Sequence, residues 1–208
     1  HAMKEIQIRK NDAGQRLDRF VGKAVPLLPE SLLQKYIRLK RIKRNGKGAK
    51  RDVRLVEGDV LQLYINDEFF ERPTEENAWL KIATPRLDIV YEDENILLAD
   101  KKPGVLCHSA GEWSWDTLIS NIQAYLRQSG EWDPKAENAF TPALCNRIDR
   151  NTGGIVIAAK NAEALRILND KIRDREIEKS YLCVVCGRPK PAEGRLEGYL
   201  FKDAVKNQ

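Results

Sequence analysis

Asn146-Arg147-Ile148-Asp149-Arg150-Asn151-Thr152-Gly153-Gly154 is the stretch around which this chain of 208 residues is read. It holds one carboxylate, Asp149, with Arg147 two residues before it and Arg150 beside it. Two glycines close it, and Ile155-Val156-Ile157-Ala158-Ala159 follows, an apolar run that reads as a buried strand. Glycine permits a tight turn or a close backbone approach, so Asp149 is expected on a loop or strand end that feeds a sheet. The two guanidinium groups are expected to hold its carboxylate ionised, because a nearby cation favours the charged form. From the residues alone, the stretch is a solvated ion pair on a turn.

The same residues resemble the Arg-Leu-Asp-Arg-x-Thr-Ser-Gly signature of the RluA-type pseudouridine synthases. Arg147, Asp149, Arg150, Thr152 and Gly154 fit it. Asn146 stands where a His is common, Ile148 replaces Leu, and Gly153 replaces Ser. Lys179-Ser180-Tyr181 resembles the family's second motif, Lys-x-Tyr. Tyr91, the acidic turn Glu92 to Asn95, Lys101-Lys102-Pro103-Gly104 and His108 resemble the opening of its catalytic domain. The resemblance covers nearly the whole chain after Gln15. It implies an α+β catalytic core, a mixed and mainly antiparallel sheet with flanking helices.

The implied reaction turns a specific uridine of RNA into pseudouridine. The glycosidic bond from N1 breaks, the uracil rotates, and C5 joins the same sugar carbon. The change is an isomerisation, so no nucleotide, metal or redox cofactor is required. By resemblance, Asp149 is the catalytic carboxylate, with attack on the sugar, attack on the ring and proton removal all left open. Arg147 is implied to fill the space of the flipped nucleotide or hold it, Arg150 to touch phosphate or fix the loop, and Tyr181 to pack on the uracil. Read by its residues alone, Tyr181 is equally a half-buried strand aromatic. His108 is read as structural. The implied partner is RNA, large-subunit ribosomal RNA before transfer RNA, with no DNA and no membrane. The family carries a further motif after Lys-x-Tyr, resembling Gly-Arg-x-His-Gln-Ile-Arg, whose arginine faces the aspartate. Its absence before Gln208 leads to the expectation that residues 1–208 are a piece of a longer protein, with little activity alone.

Charge is unevenly spread. Residues 1–66 carry 16 Lys+Arg and 7 Asp+Glu, residues 67–140 carry 7 and 15, and residues 141–208 carry 13 and 9. A net +9 at the front of a chain of total charge +5 points to a polyanion partner for that end. Leu17, Phe20, Val21 and Ala24 fall at helical spacing, and Pro26 ends that helix. Ser31 is expected to cap a second helix with an apolar side of Leu32, Leu33, Tyr36 and Ile37. Arg38, Lys40, Arg41, Lys43, Arg44, Lys47 and Lys50 follow around Asn45-Gly46, a hairpin signal. Val53 to Leu55 and Val60 to Ile65 are expected to complete a two-stranded element. The cations are either a solvated face or an RNA surface. Arg16-Leu17-Asp18-Arg19-Phe20, Ser31, Ile37, Ile42 to Gly46 and Gly58-Asp59 resemble the small RNA-binding module shared by a small-subunit ribosomal protein and tyrosyl-tRNA synthetases. Residues 1–66 are thus expected to form that module with its N-terminal extension, 67–84 an acidic linker, and 85–208 the first part of the catalytic domain.

Ile89-Val90-Tyr91 and Ile96 to Ala99 read as strands, residues 116–126 as an amphipathic helix, and Asn161 as the cap of a helix with inner face Leu165, Leu168 and Ile172. Ile177 to Val185 reads as a returning strand. On a strand, Cys183 and Cys186 point to opposite faces, so they read as buried free thiols of a reducing cytoplasm rather than half a metal site. No apolar run reaches the roughly 20 residues of a membrane helix. His1-Ala2 ahead of Met3 reads as a cloning remnant. Two rival readings remain. One is a non-catalytic RNA-binding protein working through the front module. The other is a glycoside-cleaving hydrolase, which usually needs two carboxylates, and no second one is evident near Asp149.

Overall fold

The computed structural model describes residues 3–206; His1-Ala2 lies outside the described residues. The architecture is α+β, with two four-stranded sheets in which every pairing among the described residues is antiparallel.

The first sheet holds β1 (Lys4–Gln7), β2 (Ile42–Arg44), β3 (Lys47–Gly48) and β4 (Val60–Leu63), in the order β1-β4-β2-β3. Helices α1 (Leu17–Ala24) and α2 (Glu30–Arg38) pack on it, and loop residues such as Leu27, Leu28 and Leu55 join the same core. Leu17, Phe20 and Val21 of α1 and Leu33, Tyr36 and Ile37 of α2 are buried with Ile42, Leu61 and Leu63 of the strands. Each fully buried aliphatic side chain contributes on the order of 2 kcal/mol. Asn45 and Gly46 take φ of 51° and 78°, the paired left-handed residues of a tight hairpin between β2 and β3.

Two local expectations fail here. Ser31 does not cap α2: the helix begins at Glu30, and Pro29 takes the capping position with an extended ψ of 142° and no side-chain cap bond. Proline suits a helix start, where no partner exists for an N–H. Val53 to Leu55 does not join a two-stranded element. Its backbone bonds back to residues 14–17, with Gly14 N to Leu55 O at 2.8 Å and Leu17 N to Val53 O at 2.9 Å, while β4 pairs with β1 and β2.

The second sheet holds β5 (Ile89–Glu92), β6 (Ile96–Lys101), β7 (Ala143–Leu144) and β8 (Gly154–Ala159), in the order β5-β6-β8-β7. Leu97 and Ala99 of β6 and Val156 and Ala158 of β8 are buried against Leu118, Ile122 and Leu126 of α3 (Leu118–Gln128) and against Trp132. The run after Gly154 is not buried throughout. It alternates, with Val156 at 0% and Ile155 at 47% exposure, as the period of two on a strand requires. Thr117 caps α3 through Ser120 N, and Asn161 caps α4 (Ala162–Arg173) through Ala164 N at 2.8 Å. On α4 only Ala164 is buried; Leu165, Leu168 and Ile172 are half-buried.

The acidic stretch 67–84 is more ordered than its composition suggests. It forms two single 3₁₀ turns, Asp67–Phe70 and Ala78–Lys81. Phe69 enters the first core, and Trp79 meets Trp132 edge to face at 5.3 Å. Lys81 Nζ donates to Leu28 O at 2.8 Å. The Ile177 to Val185 strand is absent, and residues 174–206 hold no helix or strand. Leu182, Val184, Leu196, Tyr199 and Leu200 are fully exposed. Strand propensity alone does not order a segment that no neighbouring strand pairs with.

Candidate active site

Residues 146–153 leave the second sheet at β7 and return at Gly154, the first residue of β8. Asn146 holds the departure point: its Oδ1 accepts from Ile157 N at 2.8 Å. The loop then turns tightly, with Thr152 N donating to Asp149 O at 3.1 Å. It is fastened from behind by the turn that follows β6. Arg150 O accepts from Gly104 N at 2.7 Å and from Lys101 Nζ at 2.9 Å. Ile148 O lies 3.4 Å from the thiol of Cys107.

Lys101 is the least expected part of this arrangement. It is 1% exposed, and its ammonium spends its three protons on Val105 O (2.7 Å), Arg150 O (2.9 Å) and Lys102 O (3.1 Å). Burial lowers the Lys101 pKa, an effect that the nearby Cys107 and Asp149 only partly oppose. An ammonium with three donors and no acceptor suits three converging carbonyls. The two loops also pack closely where Gly153 meets the Pro103 ring. A Cβ on Gly153 would stand 3.1 Å from Pro103 Cδ and 3.4 Å from Lys101 O. The Lys-Lys-Pro-Gly turn was the available sequence signal for this clamp, but sequence does not say which lysine turns inward.

Backbone thus carries the anchoring, and the side chains of Arg147, Asp149 and Arg150 are all exposed. The ion pair expected around Asp149 is not formed: no cationic group among the described residues lies within 4.0 Å of its carboxylate. The inward turn of the Arg150 carbonyl leaves its guanidinium in solvent. Beside the loop is a cavity of about 560 Å³ lined by Asn146, Thr152, Gly154, Lys179 and Tyr181 among others. Two motifs separated by 25 residues, from Gly154 to Lys179, therefore share one hollow. Tyr181 reaches it from an irregular segment, 61% exposed, and not from a strand. Arg147, Asp149 and Arg150 do not line it.

Residues 95–208 match the family described as RNA pseudouridylate synthase. The chain belongs to this family. The pseudouridylate synthase match includes the Asp149 loop, the Lys101 clamp and Tyr181, and excludes the first sheet. An uncharacterized RNA pseudouridine synthase of Mycoplasma genitalium is 31% identical over 87% of the chain and 55% of its own length. Ribosomal large subunit pseudouridine synthase C of Rickettsia bellii is 30% identical over 90% of the chain and 60% of its own length. The Escherichia coli enzyme of the same name is 26% identical over 99% and 61%. The chain spans a little over half the length of the curated relatives it matches.

Outside the matched residues, the seven front-end cations divide. Arg38, Lys40, Lys47 and Lys50 are exposed. Arg44 is committed inward, its Nε 2.8 Å from Asp59 Oδ2. Arg41 Nε donates to Tyr64 O at 3.0 Å while its guanidinium lies over the Tyr36 ring, and Lys43 lies over the Tyr64 ring. Arg51, not singled out from sequence, shares a hollow of about 540 Å³ with Arg38, Lys40 and Lys50. His108 Nδ1 lies 2.7 Å from Glu75 Oε1, a link to the acidic stretch. Cys183 and Cys186 are exposed on irregular chain, so the argument from opposite strand faces does not hold. Cys107 is buried, and burial pushes the Cys145 thiol up to about 11. No helix among the described residues is long and apolar enough to cross a membrane.

Proposed function

We propose that the chain is the part of an RNA pseudouridine synthase that carries the catalytic aspartate, and that its substrate is a uridine of large-subunit ribosomal RNA. The observation that carries the reading is the Asp149 loop. A lone exposed carboxylate sits on a turn whose backbone is fastened at Ile148 and Arg150 by a buried ammonium, an amide and a thiol. A group held in place by its main chain keeps its side chain available for substrate, as positioning catalysis requires.

In this reading the target uridine leaves its stack, at a cost of a few kcal/mol. Arg147, exposed two residues from the carboxylate, takes the vacated place or holds the flipped nucleotide. Asp149 acts on ribose or base, as nucleophile or as proton acceptor. Tyr181 supplies an apolar face for the uracil beside the Thr152–Gly154 backbone. Arg150 meets phosphate. The N1–C1′ bond breaks and a C5–C1′ bond forms; the proton of C5 leaves to solvent and N1 gains one, so no co-reactant is consumed. Residues 1–66 form an RNA-binding module whose exposed Arg38, Lys40, Lys47 and Lys50 contact phosphates, with placement more than sequence choice as the result. Residues 67–84 join it to the catalytic domain of residues 85–208. Four unpaired thiols accord with a reducing compartment such as the cytoplasm.

The test is release of tritium from RNA labelled at uracil C5, which accompanies C5–C1′ bond formation. In a protein preparation that releases label, Asp149→Asn should abolish release while leaving RNA affinity nearly unchanged. Comparable release by the variant would remove Asp149 from the chemistry.

A further inference from the structure

We propose a second RNA contact at the junction of the two sheets, a groove that takes one unpaired base at the end of a basic track. This rests on the reading of the chain as an RNA enzyme. The groove, about 370 Å³, lies between α2, the 3₁₀ turn at Ala78–Lys81 and α3. Its walls are apolar, with Leu32, Trp79 and Ala124 among them, and no carboxylate lines it. Its rim carries Lys35 and Arg38 from α2 and Arg127 from the last turn of α3. Lys35 and Arg38 are three residues apart and so share a helix face.

All three rim cations are exposed, and none has a carboxylate within 4.0 Å among the described residues. Three like charges around one apolar hollow repel one another, and a bound phosphodiester relieves that repulsion. Arg38 also lines the neighbouring hollow of about 540 Å³ with Lys40, Lys50 and Arg51, where Asp52 is the one acidic lining residue. Through Arg38 the two hollows form one track from the β2–β3 hairpin to the synthase half. An apolar hollow ringed by cations fits a nucleotide whose base face is bare and whose phosphates lie on either side. In a duplex that face is stacked away, so the occupant is single-stranded RNA.

The experiment measures binding of the full chain to a labelled uridine oligonucleotide across a range of salt. Each phosphate contact adds about 0.7 to the log–log slope for single strands. Arg127→Gln and Lys35→Gln are each expected to lower the slope by about that amount. Arg166→Gln, exposed on α4, is expected to leave it unchanged, and all three positions are exposed, so folding is not at stake. With a duplex RNA of equal length, Arg127→Gln is expected to have no effect. If Arg127→Gln and Lys35→Gln behave like Arg166→Gln while Lys47→Gln/Lys50→Gln lowers the slope, the module binds RNA and the junction groove does not. If none of these variants changes the slope, the RNA-binding reading of the module falls with it. Equal loss on duplex overturns the base pocket. Binding of a polyglutamate peptide as tight as that of the oligonucleotide, with the same dependence on Arg127, overturns RNA in favour of an acidic protein partner.

Discussion

Asp59 and Asp149 both stand on turns just ahead of strands, yet the protein uses them in opposite ways. Asp59 precedes β4 and is 7% exposed. Its carboxylate accepts from Val56 N (2.9 Å), Arg44 Nε (2.8 Å) and Asn45 Nδ2 (3.0 Å), so the side chain builds the turn. Asp149 precedes β8 and is exposed. Its turn is built by main-chain atoms and by groups from another loop, and the carboxylate is left with no side-chain cation beside it. A carboxylate that holds the fold has its lone pairs taken. The role proposed for Asp149 needs them open, and then something else must hold its loop. Lys101 does so.

Removal of Lys101 is the largest break this comparison predicts. Lys101→Met leaves Val105 O and Lys102 O without their buried donor, and Arg150 O with Gly104 N alone. Unsatisfied buried groups cost about 1–3 kcal/mol each. Relief of the buried ammonium offsets part of this, so a loss of roughly 2–4 kcal/mol is expected in urea unfolding, together with slower label release if the proposed role of Asp149 holds. Equal stability, with amide exchange at Gly104 and Thr152 no faster than in the parent, would show that the ammonium does not hold the loop.

The comparison itself is tested by the pair Asp59→Ala and Asp149→Ala at pH 7. The first leaves Val56 N, Asn45 and Arg44 without an acceptor and should cost about 2 kcal/mol. The second should stay within about 0.5 kcal/mol, the range of an exposed substitution. Acid sharpens the contrast. Burial alone would push the Asp59 carboxyl up, but the Val56 N–H, the Asn45 amide and Arg44 outweigh it and hold the group below its ordinary 3.8. A carboxyl depressed in the folded state contributes stability above its unfolded pKa and loses it as pH falls through the folded value. The cost of Asp59→Ala, followed by denaturant titration, should therefore shrink as pH drops below about 4. A cost that holds constant to pH 2 would mean that the charge of Asp59 plays no part.

What could be read from sequence follows the range of the interaction. Asn45-Gly46 sets its own turn, Asn161 its own cap, and the spacing Leu17, Phe20, Val21 its own buried face, because the partners lie within a few residues. Ser31 misled because Pro29 two residues earlier competes for the same helix start. The position of Asp149 on a turn before β8 was legible from the glycines. The identity of its anchor was not, since Lys101 and Arg150 are 49 residues apart and neighbouring Lys102 instead points outward to Asp88 and Asp100. The strand expected at Ile177 to Val185 fails for the same reason. Its pattern suits a sheet, but pairing is a property of two segments. Arg127 escaped notice because its companions Lys35 and Arg38 belong to another sheet's helix.

A further pair of effects concerns the two glycines that end the Asp149 loop, and they separate conformation from contact. Gly154 has φ of 140°, where side chains are rarely tolerated, and open space around the missing Cβ. Gly153 shows no such φ, but its Cβ would meet the Pro103 ring at 3.1 and 3.3 Å. Gly154→Ala should therefore cost about 1–3 kcal/mol through backbone strain alone. For Gly153→Ala two terms oppose. A methyl group restricts the unfolded chain and stabilises by about 0.4–1 kcal/mol, while Pro103 must retreat by a few tenths of an ångström. Pro103 belongs to the turn that donates Gly104 N to Arg150 O, so the retreat pulls on the clamp rather than on solvent. The sum should lie within about 1 kcal/mol of the parent in urea unfolding. The residue of interest is then Lys101: in a Lys101→Met background, where the turn is already loosened, the Gly153→Ala penalty should fall further. Additive penalties in that double-mutant cycle would show that the two loops are not mechanically one unit.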